Sequence, residues 1–185
     1  LSSFAPTAPE GPLALAETGE VTLVGRLTDD GPEIDRGLVW RVFSPTPNGD
    51  GKLPLVASAH GGNSRLHLRP GSYLVHAAYG RAGATKRITL GNEARKETLV
   101  LDAGGLKLSA TLSGGARIPP ANLRFSIFQG EESADGERAL IVPDVKPDTV
   151  IRLNSGAYHI VSTYGSVNAI IRADINVEAG QLTEA

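Results

Sequence analysis

The sequence contains no cysteine and no methionine, and only nine of its 185 residues are aromatic: one Trp, four Tyr and four Phe. Without cysteine, the chain cannot form a disulfide scaffold, a thiolate metal site or a cysteine nucleophile. Any chemistry must therefore come from Ser, Asp, Glu and His. Hydrophobic residues still make up 41% of the chain and charged residues 21%, which is the composition of a folded protein.

An excess of positive charge is also missing. The chain has 18 Lys and Arg against 20 Asp and Glu, a formal net charge of -2, which argues against nucleic-acid binding. No apolar run approaches the roughly 18 residues that cross a bilayer. The segment Leu1–Pro12 lacks the basic and apolar regions of a signal peptide. Because the chain starts at Leu1, we expect it to be a mature form or a piece of a larger protein.

What the sequence does contain is an internal repeat with an offset of 85 residues. One ungapped offset that matches glycines, aromatic residues and aliphatic residues indicates two copies of one fold. After Gly80 the offset changes to 87, as a two-residue change in a loop would produce. The matched pairs include Leu23 and Leu108, Leu38 and Leu123, Trp40 and Phe125, Val42 and Ile127, Leu66 and Ile151, Leu68 and Leu153, Gly71 and Gly156, Tyr73 and Tyr158, Val75 and Ile160, and Tyr79 and Tyr164.

Most segments alternate apolar and polar residues, the pattern of half-buried strands. Six or seven such strands in each copy predict an all-β protein of two tandem Ig-like or transthyretin-like antiparallel β-sandwiches. We predict an N-terminal extension or linker over residues 1–20 and sandwiches over 21–102 and 103–185. The predicted strands are 21–27, 38–43, 66–68, 73–79, 86–90 and 98–101 in the first copy, and 106–112, 123–128, 150–153, 158–164 and 169–177 in the second.

The first copy has a Pro-Gly turn between two of these strands. Arg69-Pro70-Gly71-Ser72 predicts a type II turn, with Pro and Gly at the central positions. A hairpin around it would place Leu68 beside Tyr73. In the second copy, Asn154-Ser155-Gly156 keeps the glycine and loses the proline.

The motif Leu-x-Leu-x-Pro-Gly-x-Tyr-x-Val, at Leu66–Val75, resembles a hairpin of several bacterial β-sandwich modules. These are the transthyretin-like, carboxypeptidase-regulatory-like, collagen-adhesin B-type and PEGA-type modules. The resemblance covers about fifteen residues in each copy. It implies a sandwich fold and an envelope or secreted bacterial protein, and it implies no activity. Collagen-adhesin modules often carry a Lys–Asn isopeptide bond, which we do not expect here because no Lys lies on an apolar strand face.

The link between the copies is short, because only Asp102–Gly105 separate Leu101 from Leu106. We therefore expect an elongated rod of two stacked modules. The last strand of the first copy, 96–101, has a counterpart that would begin near Leu182. Either the second copy exposes a sheet edge that pairs with another strand, or Gln181–Ala185 already begin its last strand.

No pattern of reactive residues predicts a catalytic, cofactor-binding or metal-binding site. The four histidines (His60, His67, His76 and His159) lack metal-ligand spacing and are expected at the surface, His60 in a glycine-rich loop. Asn48-Gly49-Asp50-Gly51 and Asp135-Gly136 resemble parts of calcium loops but are explained as turns. Serine-hydrolase, nucleotide-binding and zinc-protease motifs are absent from the sequence.

Two functions stay open from the sequence. The favoured hypothesis is a non-catalytic structural or protein-interaction module, a spacer or docking platform in a periplasmic, secreted or envelope-associated protein. Its partners would be another protein or neighbouring domains of the same parent chain. The alternative is a small-molecule or carbohydrate-binding module that uses the cleft between the copies or the glycine-rich loops. Carbohydrate binding would require two or more solvent-facing rings in a row. An enzyme is not expected, nor a cofactor.

Overall fold

A computed structural model of the chain describes residues 18–165 and 169–185, and their regular structure is almost entirely β. One 3₁₀ turn, Pro120–Asn122, precedes β9. The strands are β1 Gly19–Arg26, β2 Leu38–Phe43, β3 Leu55–Gly61, β4 Ser64–Leu68, β5 Gly71–Tyr79, β6 Ala82–Leu90, β7 Arg95–Val100, β8 Ala103–Lys107, β9 Leu123–Gln129, β10 Leu140–Val145, β11 Val150–Asn154, β12 Gly156–Tyr164, β13 Ala169–Val177 and β14 Leu182–Glu184.

The strands form two units with the same topology. In unit 1 (β1–β7), a three-stranded sheet of order β4-β1-β7 packs against a four-stranded sheet of order β3-β2-β5-β6. In unit 2 (β8–β14), the orders are β11-β8-β14 and β10-β9-β12-β13, which are those of unit 1 with seven added to each label. The prediction of an all-β protein with two tandem sandwiches from one repeat is confirmed.

The predicted extension over residues 1–20 lies mostly outside the described residues. Its last two members, Gly19 and Glu20, belong to β1. The limits 21–102 and 103–185 stay a prediction.

Each unit has its own core, filled from both sheets. Trp40 of β2 is fully buried in unit 1, and its repeat mate Phe125 of β9 is 4% exposed in unit 2. Alternation on β2 and β9 turns these rings inward together with aliphatic neighbours. The indole nitrogen of Trp40 donates a 2.8 Å hydrogen bond to the Gly62 carbonyl. Both residues are core positions, as the repeat predicted.

The predicted hairpin at Pro70-Gly71 is wrong. Strand β4 pairs with β1, whereas β5 pairs with β2 and β6, so Leu68 and Tyr73 lie in opposite sheets. Gly71 has a φ of 153°, far from the value near +80° of a type II turn. The turn is a corner at which the chain passes from one sheet to the other. The apolar residues of β4 and β5 still face the same core, because the two sheets pack against it from opposite sides.

The tyrosine after each corner ties the corner together. The Tyr73 hydroxyl donates to the Arg69 carbonyl at 2.7 Å, and the Tyr158 hydroxyl donates to the Asn154 carbonyl at the same distance. The bond gives the half-buried Tyr73 and the buried Tyr158 a partner for the hydroxyl, and it explains why the repeat keeps Tyr at this position.

One strand pair in each unit is parallel, in contrast to the predicted antiparallel sandwiches. Strand β7 runs parallel to β1, and β14 runs parallel to β8. The Ala103 N–H donates to the Leu27 carbonyl at 3.2 Å, so the chain passes from β7 into β8 almost directly, as predicted. Strand β14 begins at Leu182. The second alternative for the C-terminal residues is therefore correct.

Two strands were not predicted from the sequence. These are β3 and its repeat mate β10, which lie at sheet edges and carry many exposed residues. His60 lies on β3 rather than in a loop, although it is exposed as expected.

Candidate functional site: the junction between the units

The junction joins the turn after β5 in unit 1 to the corner between β11 and β12 in unit 2. The backbone N–H of Arg81 donates to the Arg152 carbonyl at 3.0 Å. The backbone of Gly83 meets the side chain of Asn154. The contact thus involves segments far apart in the sequence, in addition to the covalent link at Asp102.

Asn154 makes most of the side-chain hydrogen bonds across this junction. Its amide nitrogen donates to the Leu101 carbonyl at 2.7 Å and to the Gly83 carbonyl at 3.1 Å. Its amide oxygen accepts from the Gly83 N–H at 3.2 Å. A single half-buried side chain therefore binds both Leu101, at the link between the units, and Gly83 of β6 in unit 1. Three bonds with fixed donors and acceptors define the orientation of one unit on the other.

Ser155 makes a second clamp on the linker. Its N–H donates to the Asp102 carbonyl at 2.7 Å, and its hydroxyl donates to the Asp102 carboxylate at 2.6 Å. Asp102 has a φ of 50°, a left-handed conformation that Asp tolerates better than most residues. The repeat mate of Ser155 in unit 1 is Pro70, which has no N–H to donate. The loss of proline in the second copy is thus explained by the junction.

The third contact is between a cation and a ring. The Arg152 guanidinium lies 4.2 Å from the centre of the Tyr79 ring, within cation–π range. Gly80, with a φ of 63°, lies so close that a Cβ there would come within 2.9 Å of the Arg152 Cβ. Glycine at this position permits both the turn and the close approach of the units.

An open cleft borders these contacts. Its volume is about 450 Å³, and its lining includes Arg81 from unit 1 and Gln129, Glu131 and Tyr158 from unit 2. The Tyr158 hydroxyl is already engaged by Asn154, and burial raises the pKa of this phenol. The cleft therefore presents mixed polar groups around Tyr158, whose hydroxyl is already hydrogen-bonded.

The histidines are dispersed. His67 lies 3.9 Å from Glu20, His76 bonds Thr85 at 2.9 Å, and His159 bonds Asp174 at 2.7 Å. The His159 hydrogen bond lowers the pKa of the Asp174 carboxyl. On β5, His76 lies opposite Arg41 of β2 and Thr85 of β6.

Within residues 18–165 and 169–185, no cluster of three or more His, Asp or Glu side chains is placed to hold a metal. Asp50 accepts a hydrogen bond from the Lys52 N–H at 3.2 Å, which accounts for it as a turn residue. No helix in this part of the chain has the length and hydropathy of a membrane span.

Aromatic side chains do not form an exposed row in the described part of the chain. Trp40, Phe125 and Tyr158 are buried, and the other rings there are half-buried. Phe4 lies outside the described residues. The residues that the structure describes therefore lack the row of two or more solvent-facing rings that carbohydrate binding would require.

Sequence reasoning did not identify the junction residues. The sequence pattern indicates only a turn at Asn154 and Ser155, and it gives no role to Arg152. A signal was present, since Asn154 and Ser155 replace Arg69 and Pro70 at a corner that is otherwise repeated.

Comparisons with known proteins give distant similarities of fold. No family model matches the chain, and no curated protein matches it. The shaft pilin SpaA of Lactobacillus rhamnosus GG is 13% identical, with a TM-score of 0.34, 90% of this chain covered and 96% of the pilin. A DUF3823 family protein of Parabacteroides merdae is 12% identical, with a TM-score of 0.33 and coverage of 86% and 99%.

The Bacillus anthracis TIE protein is 16% identical to this chain, with a TM-score of 0.34. The match covers 90% of this chain, which spans only 33% of the TIE protein. Similarities at this level indicate no shared function. The specific resemblance to transthyretin-like and PEGA-type modules stays a prediction.

Proposed function

We propose that this chain is a non-catalytic structural and protein-interaction module of a bacterial cell-envelope or secreted protein. Its two sandwiches act as one rigid spacer that presents docking surfaces to neighbouring domains or to a protein partner. The observation that carries this proposal is the Asn154 clamp, whose three hydrogen bonds join the units. The bacterial envelope setting is supported by the sequence motif at Leu66–Val75.

A rigid junction suits a spacer because it fixes the distance and orientation between the surfaces of the two units, which a flexible junction would leave variable. The junction is short, and it combines backbone bonds, the Ser155–Asp102 clamp and the Arg152–Tyr79 stacking. No observation at the 450 Å³ cleft favours the alternative of a carbohydrate or small-molecule site.

The experiment is a measurement of ¹⁵N relaxation in the whole chain. We expect one rotational correlation time for both units, because the clamp makes them tumble together. Asn154→Ala should give each unit its own shorter correlation time, since the Leu101 and Gly83 carbonyls lose their shared donor. Asn48→Ala is the matched control, because Asn48 is exposed in a loop of unit 1. Independent tumbling of the units in the unaltered protein would contradict the proposal.

A further inference from the structure

Eight strands lie at the edges of the four sheets that the described residues form. An edge strand has unpaired backbone N–H and C=O groups, and charged side chains, proline and bulges keep such an edge from pairing with another strand. Within residues 18–165 and 169–185, β3 is the edge strand that contains neither proline nor any Lys, Arg, Asp or Glu. Each of the other seven contains at least one charged residue: β4, β6, β7, β10, β11, β13 and β14.

The repeat mate of β3 shows how such an edge is protected. At the positions of Ser58 and Ala59 in β3, strand β10 has Pro143 and Asp144. Proline has no N–H to offer to a further strand. Asp144 has a φ of 54° and forms an ion pair with Arg124 at 3.2 Å. The pairing of β10 with β9 also shifts register twice. Unit 2 therefore opposes strand addition at the edge where unit 1 does not.

Strand β3 combines a regular part with an apolar start. Residues Ala57–Gly61 pair with β2 in continuous register, and the single shift of β3 lies between Leu55 and Ala57. Large apolar side chains are exposed at this start, at Leu53, Leu55 and Val56. Clustered exposed apolar residues mark interaction sites. The edge thus offers both backbone hydrogen-bonding groups and an apolar contact, as strand addition requires.

The sequence of β3 is complementary to a second copy of itself. In an antiparallel pair centred on Ser58, the two Ser58 side chains meet, and Leu55 of each copy comes beside Gly61 of the other. No atom of the described residues lies within 4 Å of the position that a Cβ on Gly61 would take. This glycine therefore leaves room for the exposed leucine of the other copy. No like charges meet along the pair, because β3 contains no Lys, Arg, Asp or Glu.

We propose that β3 of unit 1 pairs antiparallel with β3 of a second copy of this chain, around a two-fold axis at Ser58. The pair joins the two four-stranded sheets into one continuous sheet of eight strands. A contact that uses the same surface on both copies closes at two, so it gives a dimer and no longer assembly. The inference rests on the proposed docking function, and it names the surface and the partner.

The contact is small, so the dimer should depend on concentration. Five residues of paired strand extend over about 16 Å, whereas a stable interface buries about 1,000 Å² or more. Sedimentation of the whole chain over a concentration series is therefore the first measurement. We expect a shift from monomer to dimer and no larger species. Hydrogen exchange of the dimer should protect alternate amides within residues 57–61, those whose N–H groups point away from β2.

Two charge variants at the axis make the test specific. Ser58 is exposed, so Ser58→Lys and Ser58→Glu should both fold, which thermal unfolding checks. Each variant alone should stay monomeric, because like charges meet at the axis. An equimolar mixture should form a one-to-one heterodimer, because the two charges then have opposite signs. Pro143→Lys and Pro143→Glu are the matched controls at the equivalent position of unit 2, and both should dimerise as the unaltered protein does.

A chain that stays monomeric throughout the concentration series overturns the inference and leaves β3 to a strand of another protein. A dimer that survives both Ser58 variants, or variants that do not pair when mixed, also overturns it, because another surface or register would then be responsible. Since Ser58→Glu keeps the Asn154 clamp, ¹⁵N relaxation of this variant measures the junction in the absence of β3 pairing. The rigid-spacer proposal and the dimer therefore fail separately.

Discussion

Unit 1 and unit 2 have the same strand order, yet equivalent positions make different contacts. In unit 1, the buried Glu97 of β7 pairs with Lys86 of β6. In unit 2, Ala185 and Ala173 occupy the positions of Glu97 and Lys86, so this ion pair is replaced by two small apolar residues. The comparison teaches that one repeated fold keeps its core positions while the contacts between its two sheets change.

The largest expected effect comes from the paired core rings. Trp40→Ala should destabilise unit 1 by about 3–5 kcal/mol, the range for large-to-small core changes. Phe125→Ala should cost unit 2 less, because Phe125 borders a cavity of about 310 Å³ and so has fewer packing contacts to lose. Urea unfolding followed by residue-resolved NMR measures the two effects separately. Equal losses would show that the cavity does not weaken the core of unit 2.

A second change tests the last strand of unit 1. Leu99→Ala removes a buried side chain of β7, and it should cost about 2–5 kcal/mol. It should also raise amide exchange in β6, because β6 would lose an apolar neighbour. Leu112→Ala is the control, since Leu112 is 54% exposed in unit 2. A near-neutral Leu99→Ala would refute the role given to this side chain in closing the sandwich.

A smaller effect concerns charge. Glu97 is 5% exposed, and its carboxylate lies 2.8 Å from Lys86 and 2.5 Å from Arg95. Burial raises the pKa of this carboxyl, but the hydrogen bonds and charges of Lys86 and Arg95 outweigh burial and hold it below its ordinary value of 4.5. Its stabilising contribution is therefore complete above about pH 5 and is lost as the pH falls through the lowered pKa.

Acid unfolding of the two units checks this difference. We expect unit 1 to lose stability at low pH by an increment that Glu97→Gln removes. Unit 2 has no carboxylate at the equivalent position, so the substitution should not change its acid profile. An acid profile of unit 1 that is the same with and without Glu97 would contradict this role of the ion pairs.

The smallest expected effect is at the corner tyrosines. Tyr73→Phe removes the bond to the Arg69 carbonyl and should cost unit 1 about 0.5–1.5 kcal/mol. Tyr158→Phe should cost at least as much in unit 2, because Tyr158 is buried and its acceptor belongs to Asn154 of the junction. Thermal unfolding measures both. If only one of the two substitutions lowers stability, the corner tyrosine does not have the same role in the two units.

Much of the fold could be predicted from the sequence, because the repeat and the period-two pattern depend on local residues. Strand 38–43 coincides with β2, and the core role of Trp40 and Phe125 follows from their matched positions. Strands β3 and β10 were missed because they lie at sheet edges: β3 has no fully buried residue, and β10 contains Pro143, so neither has a clear run of large apolar residues alternating with polar ones.

The pairing of β4 and β5 could not be deduced from the pattern of Leu68 and Tyr73. Inward-facing residues on adjacent strands satisfy both a hairpin and a corner between opposite sheets, so alternation alone does not distinguish them. The role of Asn154 could not be predicted from the sequence either. Its hydrogen-bonding partners are the Leu101 carbonyl and the carbonyl and N–H of Gly83, which tertiary packing brings near although they are 53 and 71 residues away in the sequence.

Hydrogen exchange under native conditions tests the central comparison most directly. Strands β6 and β13 are repeat mates at equivalent sheet edges, but their surroundings differ. Lys86 of β6 is paired with the buried Glu97, whereas Ile171 and Ala173 of β13 line a cavity of about 310 Å³. We expect the amides of Ala84–Ile88 to exchange more slowly than those of Ile171–Ile175. Equal protection of the two strands would contradict the account, because the different contacts would then not affect the stability of the two units.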